Sequence, residues 1–484
     1  MAPTGEALMA ALGYGARTTV ERPSQGAYHL NPTNLVMMGE TPILRRLRPL
    51  VRTAEKLGVP VTHLAVGSLS RLPPDRIYRA IVADPRHPES YPQAFGEQVL
   101  LDALAQNLTG MTGVRITSED SMITPGGIGA VFGAINLVTR PGDLVTVFRP
   151  SWPNTPVICK LLGRSVQAIT TDPSEGFRVT PSLLRRVKQE SRLVVIERPG
   201  NPTAKNWDDD ELGAVRDFLL DPQRRETCVL ADEEYYGVSD GLPRSILELG
   251  LSRTISTAAW SKTACITSAR LGRLTTLDRR IRQLLVPWSN LWLGVNNFMN
   301  VQHALAVLVN DFGPEGLPAY FWALNQEMAD NRRIAREVLG YVSGLRLISG
   351  QGAYYDVVVF EDPQLDEVQL LLHRLLASIA AARDGERNGD LPKFTYCIPL
   401  SGFQDIENGQ VIRGLRVTHS KQGDQLRAAL QVLVDMIRDY REAGYPHYGG
   451  IEEVTGKVLA GVAVEPMRNS RSTSITTFPA VAQA

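Results

Sequence analysis

The sequence predicts an α/β protein whose large domain is built on a mostly parallel sheet, followed by a smaller α+β domain. From about residue 61 to residue 275, short apolar runs alternate with helical patterns. The runs span residues 61–66, 121–124, 143–148, 165–170, 192–197, 228–232, 254–258 and 272–277. They are mostly separated by roughly 20 to 35 residues, which is enough for the crossover helix that joins two parallel strands. After residue 310, long helical stretches alternate with strand patterns at 353–360 and 414–420.

Helical patterns accompany both sets of strands. An acidic start followed by an amphipathic body predicts a helix over residues 208–220. Helices are also predicted over 327–340 and 366–384 in the smaller unit. A further helix over 41–58 is expected to pack on that unit.

The length of 484 residues exceeds one ordinary core and predicts several domains. We expect an N-terminal arm over residues 1–34, a helix over 35–60 packing on the small domain, a large domain over 61–310, a small domain over 311–462 and a disordered tail over 463–484. The tail has little apolar surface to bury, which is the reason for expecting it to be disordered.

The composition argues against several classes of protein. The 51 basic and 51 acidic side chains leave no net charge, so nothing favours binding to nucleic acid or to an anionic membrane. No apolar run approaches the roughly 20 residues that span a bilayer, and the N-terminus lacks the features of a signal peptide. The four cysteines are far apart, without the spacing of a disulfide framework or a zinc site. These features predict a cytoplasmic protein without a metal.

The first site signal is the glycine turn TPGGIGA at residues 124–130, between a strand and a helix. The backbone N–H groups of Gly127 and Ile128, with the helix dipole behind them, form a seat for a phosphate group. The turn also half-matches a dinucleotide fingerprint, but its third glycine is one position late and the following acidic residue is missing. A purely structural glycine turn remains the alternative.

Three further signals follow strands, where ligands collect at the carboxyl ends of a parallel sheet. Trp152 could cover a planar cofactor, and Asn201 could donate to a phenolic oxygen. Asp232 ends a buried strand, where a carboxylate is costly unless it is paired, and Tyr235 follows it. Taken one at a time, each also fits an ordinary role: a tryptophan packed under a loop, a turn-forming asparagine or a capping aspartate.

The fifth signal is AWSKTACITSARLG at residues 259–272, which places Lys262 and Arg270 among small and hydroxylated residues. A lysine in a dry environment becomes a nucleophile towards carbonyl groups, and an arginine is suited to holding a phosphate dianion. The alternative is an ordinary solvated lysine.

Together the five signals match pyridoxal 5′-phosphate, which is flat, phosphorylated and carbonyl-bearing. Lys262 would form the Schiff base, and Asp232 would keep the ring nitrogen protonated. The remaining contacts would come from Asn201 and Tyr235 to the phenolic oxygen, from Trp152 to the ring face, and from Arg270, Gly127 and Ile128 to the phosphate.

With these residues in order, the chain over roughly residues 40–445 resembles the class I/II aminotransferases, the fold type I pyridoxal-phosphate enzymes. The motifs that carry the resemblance are YPQAFG, TPGGIGA, PSW, NPT, DEEY, and SK with an arginine eight residues after the lysine. The resemblance implies a large domain with a seven-stranded type of sheet, and a homodimer with shared active sites in which Tyr91 reaches the partner's phosphate. It also implies that Arg416 binds the substrate carboxylate, with Arg413 as the nearby rival, and that Gly67 contributes to the substrate site.

The chain departs from the family pattern near the phosphate. Ala259 stands where the family usually has Ser or Thr, and Ala204 stands where a glycine commonly follows Asn-Pro-Thr. Because the turn at Gly126–Ile128 offers no hydroxyl either, we expect Ser261 or Thr257 to compensate.

The segment LLVPWSNLWLGVNNFMN, after the lysine, is rich in aromatic and amide side chains. The resemblance places it beside the active site across the dimer. Trp288, Trp292 and Phe298 are interpreted either as interface core or as a stacking wall for a flat substrate.

These observations predict a transformation of an α-amino acid through external aldimine and quinonoid intermediates, with Lys262 moving the α-proton. Aminotransferase-type chemistry, in specialised metabolism, is the first hypothesis. The alternative resembles aminocyclopropane-carboxylate synthase, which uses S-adenosylmethionine; loss of the γ-substituent would lead to a ring or to a carbon–carbon bond with an acceptor such as a planar pyridinium. A non-catalytic aminotransferase-like binding module is disfavoured, because the forty-odd N-terminal residues are too few and too weakly basic for a DNA-binding segment.

Overall fold

A computed structural model describes residues 43–69, 71–82, 93–241, 243–289, 299–386, 391–404 and 411–467. Each of the eight predicted apolar runs contains a strand, and so do the two strand patterns after residue 310. The strands are β1 Val61–His63, β2 Ser121–Pro125, β3 Leu144–Arg149, β4 Ser165–Thr170, β5 Ser191–Glu197, β6 Cys228–Asp232, β7 Thr254–Ala259, β8 Leu271–Thr276, β9 Leu345–Ser349, β10 Tyr355–Phe360, β11 Phe394–Tyr396, β12 Ile398–Pro399 and β13 Gly414–Thr418.

The helices fall between these strands and at both ends of the described chain. They are α1 Ile43–Lys56, α2 Asp75–Val82, α3 Gln98–Thr112, α4 Gly126–Val138, α5 Asn154–Leu161, α6 Pro181–Arg185, α7 Asp209–Leu220, α8 Trp260–Thr263, α9 Arg279–Trp288, α10 Met299–Leu308, α11 Leu317–Leu339, α12 Glu367–Arg383, α13 Gly423–Glu442 and α14 Ile451–Leu459. Helix α7 has the acidic start that the sequence predicted. The Asp208 carboxylate caps it by accepting from the Glu211 N–H at 2.9 Å.

The main sheet has seven strands in the order β2-β8-β7-β6-β5-β3-β4. Only β8 runs antiparallel to its neighbours β2 and β7, so the prediction of a mostly parallel sheet is confirmed. The expectation for residues 61–66 was wrong in one respect. Strand β1 lies outside the main sheet and pairs in parallel with β11, in the register Val61 with Phe394.

Helices cover both faces of this sheet. On one face α4 packs through Val131 and Ile135, and on the other α7 packs through Val215 and Leu219. Burial on both faces explains why the central strands read as continuous apolar runs, since no side of a strand such as β5 faces water. In β5 and β6 the charged residues accordingly lie towards the strand ends, as Glu197 and Asp232 show.

A second sheet, in the order β12-β13-β10-β9, is antiparallel throughout. Its core includes the apolar face of α1, with Leu47 and Leu50 packing in the same cluster as Leu371 and Leu375 of α12. The helix near the start of the chain thus packs against the core of this second sheet. The domain boundaries themselves remain a prediction. The predicted arm over residues 1–34 lies outside the described residues, and so do residues 468–484 of the tail predicted over 463–484.

No helix in the described ranges has the length and apolar character needed to cross a membrane.

Candidate active site

A cavity of about 520 Å³ lies at the carboxyl ends of the central strands, between the main sheet and the four-stranded sheet. All of the predicted site residues that the structure describes line it. They are Gly67, Gly127, Ile128, Trp152, Asn201, Asp232, Tyr235, Ser261, Lys262, Arg270 and Arg416. Tyr91 lies outside the described residues, so its expected role across a dimer stays a prediction. Residues separated by some 350 positions are thus brought together at one sheet edge.

Lys262 lies in the short helix α8, directly after the buried strand β7. Its Nζ donates to the carbonyl oxygen of Gly67 at 2.5 Å. Burial lowers the pKa of Lys262, and the neighbouring charges of Arg416 and Arg270 lower it further, although Glu234 acts in the opposite direction. A lysine held in this way is more readily deprotonated, and therefore more nucleophilic, than one in water.

Asp232 ends β6, between Glu197 at the end of β5 and Thr257 in β7. The Thr257 hydroxyl donates to Asp232 Oδ1 at 3.3 Å. Burial raises the pKa of Asp232 to about 7. The structure therefore presents a carboxyl group to the cavity whose protonation depends on what lies opposite it.

Glu197 is a second carboxyl group at this floor. Both of its oxygens accept from the backbone N–H of Trp152 at 2.9 Å. Burial raises the pKa of Glu197 to about 8, and the charge of Asp232 contributes to the increase. The bond to Trp152 fixes the loop that carries this half-buried ring along the cavity wall.

The opposite end of the cavity is built to hold an anion. The turn at Gly126 opens α4 and lies against Arg270; a Cβ on Gly126 would come within 2.4 Å of an Arg270 side-chain nitrogen. Gly126 also has φ of 72°, so both space and backbone conformation require glycine there. The buried Ser261 hydroxyl has no hydrogen-bond partner among the described residues. A guanidinium, a helix N-terminus and an unpartnered hydroxyl together fit a phosphate group.

Arg416 enters the cavity from β13 and is only 3% exposed. One of its side-chain nitrogens donates to Asn201 Oδ1 at 2.7 Å, and another donates to the carbonyl oxygen of Ala65. Its guanidinium lies over the ring of Tyr355, 4.3 Å from the centroid. The rival Arg413 is exposed and does not line the cavity. The geometry therefore favours Arg416 as the cation that faces a ligand.

Tyr235 lies in the turn after β6, with its hydroxyl 2.5 Å from the Tyr355 hydroxyl. Burial raises the pKa of both phenols. Tyr354, the neighbour of Tyr355, donates to the Gly67 carbonyl oxygen at 3.1 Å, the same oxygen that accepts from Lys262. The Tyr354 hydroxyl and the Lys262 amine thus donate to the same oxygen, and the rings of Tyr235 and Tyr355 pack against Tyr354.

Two sequence-based expectations need revision. Thr257 is fully buried beside Asp232 and does not line the cavity, so it is not placed to supply the hydroxyl that is missing near a phosphate. Ser261 lines the cavity and is so placed. Trp288 is packed inside the chain, since a Cβ on Gly133 would lie 2.5 Å from its ring. It does not line the cavity, and so it is not a stacking wall there. Trp292 and Phe298 lie outside the described residues.

Among the lining residues that sequence reasoning missed are two carboxyl groups and a phenol: Glu197, Glu234 and Tyr355. Glu197 carried the same signal as Asp232, because each is an acidic residue that ends an apolar strand. Glu234 follows Asp232 by two positions within DEEY. Tyr355 gave no local signal, since its role depends on contacts with residues more than 50 positions away.

Comparison with known proteins places this cavity in a wider context. A family model described as aminotransferase class I and II matches residues 59–379. The aspartate aminotransferase of Sulfolobus acidocaldarius is 26% identical over 276 residues, covering 55% of this chain and 65% of that protein. The aligned region thus spans just under two thirds of that relative. The valine–pyruvate aminotransferase of Mycobacterium tuberculosis is 26% identical over 359 residues, covering 71% of this chain and 89% of that protein.

Solved structures show the same fold. The aspartate aminotransferase from Thermus thermophilus with maleate matches with a TM-score of 0.71 at 20% identity, covering 84% of this chain and all of that one. The alanine aminotransferase from Pyrococcus furiosus matches with a TM-score of 0.73 at 19% identity, covering 85% of this chain and all of that one. At these identities the likeness concerns the fold, and it confirms the predicted α/β architecture.

Proposed function

The chain belongs to the class I and II aminotransferase family, the fold type I pyridoxal-phosphate enzymes, and from this premise we propose that it transfers the amino group of an α-amino acid. One observation carries the proposal: the Lys262 amine, the Asp232 carboxyl, and Arg270 with its glycine turn all face one cavity. These are the groups that a carbonyl, a ring nitrogen and a phosphate require, and pyridoxal 5′-phosphate has all three.

When bound, the cofactor supplies an aldehyde for a Schiff base and a ring that stabilises negative charge at the substrate's α-carbon. The residues that would hold it are divided between two ends of the cavity. Arg270, Ser261, Gly127 and Ile128 would bind the phosphate. Asp232 would face the ring nitrogen, Asn201 and Tyr235 the phenolic oxygen, and Trp152 the ring.

Lys262 has two tasks in this proposal. Its lowered pKa favours the free amine, which is the form that attacks a carbonyl. Once a substrate amine has displaced Lys262, its Nζ can accept the proton from the substrate's α-carbon and then donate that proton to a different atom. Its contact with Gly67 keeps the amine at the cavity wall.

Asp232 would sustain a positive charge at the ring nitrogen. An apolar environment disfavours an isolated carboxylate, as its raised pKa indicates. A cation opposite it would reverse that preference, so that carboxylate and cation stabilise each other. The Thr257 hydroxyl holds the carboxylate in place.

Arg416 would bind the substrate's α-carboxylate through its planar fork of donors. Its stacking on Tyr355 fixes the plane of that fork. According to their names, the similar proteins act on aspartate, on valine with pyruvate, and on alanine. These differ in side chain but share the α-carboxylate and α-amine, and an α-amino acid is therefore the substrate class that we propose, with a 2-oxo acid as acceptor.

A role in specialised metabolism, a homodimer with shared sites and a cytoplasmic location remain predictions. The alternative that uses S-adenosylmethionine also remains one. One of the features that favoured it was the aromatic segment, of which Trp288 is buried away from the cavity and residues 290–298 lie outside the described ranges. Incubation with S-adenosylmethionine and a panel of acceptors tests it; release of methylthioadenosine without transamination would favour this alternative over the proposed reaction.

The proposed function is tested by the covalent bond to Lys262. The purified chain should show the visible absorption of a pyridoxal Schiff base, and borohydride reduction followed by peptide mass spectrometry should place the adduct on Lys262. Lys262→Ala should abolish both signals, while Lys188→Ala, at an exposed lysine, should keep them. A Schiff-base band that persists in Lys262→Ala without added amine would overturn the proposal.

A further inference from the structure

Glu234 is a carboxyl group in the cavity that the proposed function leaves without a task. It follows Asp232 by two residues and lines the cavity together with Lys262 and Arg270. Its side chain forms no hydrogen bond or ion pair with the residues that the structure describes. A half-buried carboxyl without such a partner needs an explanation, because removal from water disfavours its charged form.

The position of this carboxyl is specific. A Cβ built on Gly127 would lie 2.0 Å from Glu234 Oε2 and 3.5 Å from the Cβ of Ala259. The Glu234 side chain therefore fills the space over the glycine turn, next to residue 259. This is the end of the cavity that fits a phosphate. It is also the place where the resemblance leads one to expect a Ser or Thr hydroxyl and the sequence has alanine.

Charged and titratable groups surround Glu234 from several elements. Asp232 lies on its own segment, Lys262 on α8 and Arg270 before β8. Tyr355, at the start of β10, and Tyr354, just before that strand, face it as well. Burial raises the pKa of Glu234 to about 8, and the charge of Asp232 raises it too, against the opposite effect of Lys262 and Arg270. Near neutral pH the group is thus mainly a carboxylic acid, which carries one O–H donor.

We infer that Glu234 acts as a neutral acid that donates a hydrogen bond to the phosphate of pyridoxal 5′-phosphate, in place of the hydroxyl missing at Ala259. This rests on the proposed function. An ionised Glu234 would repel a phosphate dianion, whereas the acid form offers the donor that the phosphate lacks at this position. The dianion in turn favours the protonated acid, so binding and protonation reinforce each other.

Cofactor affinity should therefore depend on pH through this group. The protonated form of Glu234 predominates below about pH 8 and is lost as the pH rises through that value. Above it, each pH unit reduces the protonated fraction about tenfold. Phosphate binding should weaken accordingly.

The experiment titrates the full-length chain, freed of cofactor, with pyridoxine 5′-phosphate, which lacks the aldehyde and cannot react with Lys262. Calorimetry at a series of pH values gives the dissociation constant. For the wild type it should rise about tenfold per pH unit above about pH 8. Glu234→Gln keeps a neutral donor of the same shape, and its dissociation constant should stay nearly constant over the same range. Unphosphorylated pyridoxine should not distinguish the two proteins.

A second pair of variants tests whether Glu234 takes the place of the hydroxyl that is missing at residue 259. Glu234→Ala should bind pyridoxine 5′-phosphate about tenfold more weakly than the wild type near neutral pH, which is the usual effect of losing a hydrogen bond to a charged group. Adding Ala259→Ser should recover most of that loss.

Two results would overturn the inference: parallel pH profiles for the wild type and Glu234→Gln, or an unchanged affinity in Glu234→Ala. If either occurs while the Lys262 Schiff base is still present, only the role of Glu234 fails. If the wild type binds neither pyridoxine 5′-phosphate nor the aldehyde cofactor, the proposed function fails with it.

Discussion

Glu197 and Asp232 are register partners on neighbouring parallel strands, so two carboxyl groups lie side by side at the floor of the cavity. The Trp152 N–H donates to Glu197, and the Thr257 hydroxyl donates to Asp232. Both are buried, and both therefore retain their protons to a higher pH than an exposed carboxyl does. The arrangement is unfavourable in an empty cavity at neutral pH and becomes favourable when a cation lies opposite it.

The stability of the cofactor-free chain should consequently fall as the pH rises. In the unfolded chain these groups ionise near their ordinary pKa values of 4.5 and 3.8, whereas in the folded chain they hold protons up to about 8 and about 7. Between those limits the folded state binds more protons than the unfolded state, so the free energy of unfolding decreases with pH. We expect a lower melting temperature at pH 8 than at pH 5.

Glu197→Gln separates this effect from other titrations. It should flatten the decrease in melting temperature, because it removes one of the groups that gains charge on raising the pH. Glu190→Gln, at an exposed position, should follow the wild type. A melting temperature that increases from pH 5 to pH 8 in the wild type would contradict the prediction.

Replacing Asp232 should affect turnover more than cofactor retention. In Asp232→Asn the phosphate contacts remain, but the charge that supports a protonated ring nitrogen is lost. We expect kcat to fall by about a hundredfold or more, as for other preorganised electrostatic contacts. Steady-state kinetics with an amino acid that the wild type transaminates measures kcat. Asp221→Asn, at the exposed N-cap of a short helix, serves as the control. Near-normal kcat in Asp232→Asn would refute the electronic role.

Arg416 should control the binding of the substrate carboxylate. Arg416→Lys keeps the charge but loses the planar fork, so KM for the amino acid should rise by about tenfold or more while kcat changes less. Arg413→Lys offers a matched comparison three residues earlier, just before β13, where the side chain is exposed and outside the cavity, and it should leave KM unchanged. If Arg413→Lys raised KM and Arg416→Lys did not, the assignment of the two arginines would be reversed.

Two glycines in helices should respond in opposite ways to alanine. Gly133 in α4 faces the ring of Trp288, and a Cβ there would come within 2.5 Å of it. Gly133→Ala should lower the free energy of unfolding by about 1–3 kcal/mol through overpacking. Gly110 in α3 has nothing within 4 Å of its Cβ position. Gly110→Ala should raise the free energy of unfolding by about 0.5–1 kcal/mol through helix propensity. Urea titration measures both, and equal effects would contradict the packing argument.

Much of the fold was predictable because its signals are local. A strand buried on both faces must be apolar along its length, and β5 and β6 show this directly in the sequence. Polar residues at the ends of such strands then meet at one edge of a parallel sheet, and so Asp232, Asn201 and Lys262 could be placed together before their contacts were known. The glycine turn before α4 was equally visible, since Gly126 needs a conformation that other residues avoid.

The sequence by itself determined the strands of the main sheet, the turn that faces Arg270, and the set of groups suited to one cofactor. The tertiary structure alone decided that β1 pairs with β11, that the Thr257 hydroxyl donates to Asp232, and that Trp288 belongs to the core. It also placed the Glu234 carboxyl over Gly127, beside the methyl group of Ala259. The physical reason is range: apolar periodicity and turn chemistry are set by neighbours along the chain. Which side chain fills a given space is set by residues far apart in sequence, whose contacts only the packed fold determines.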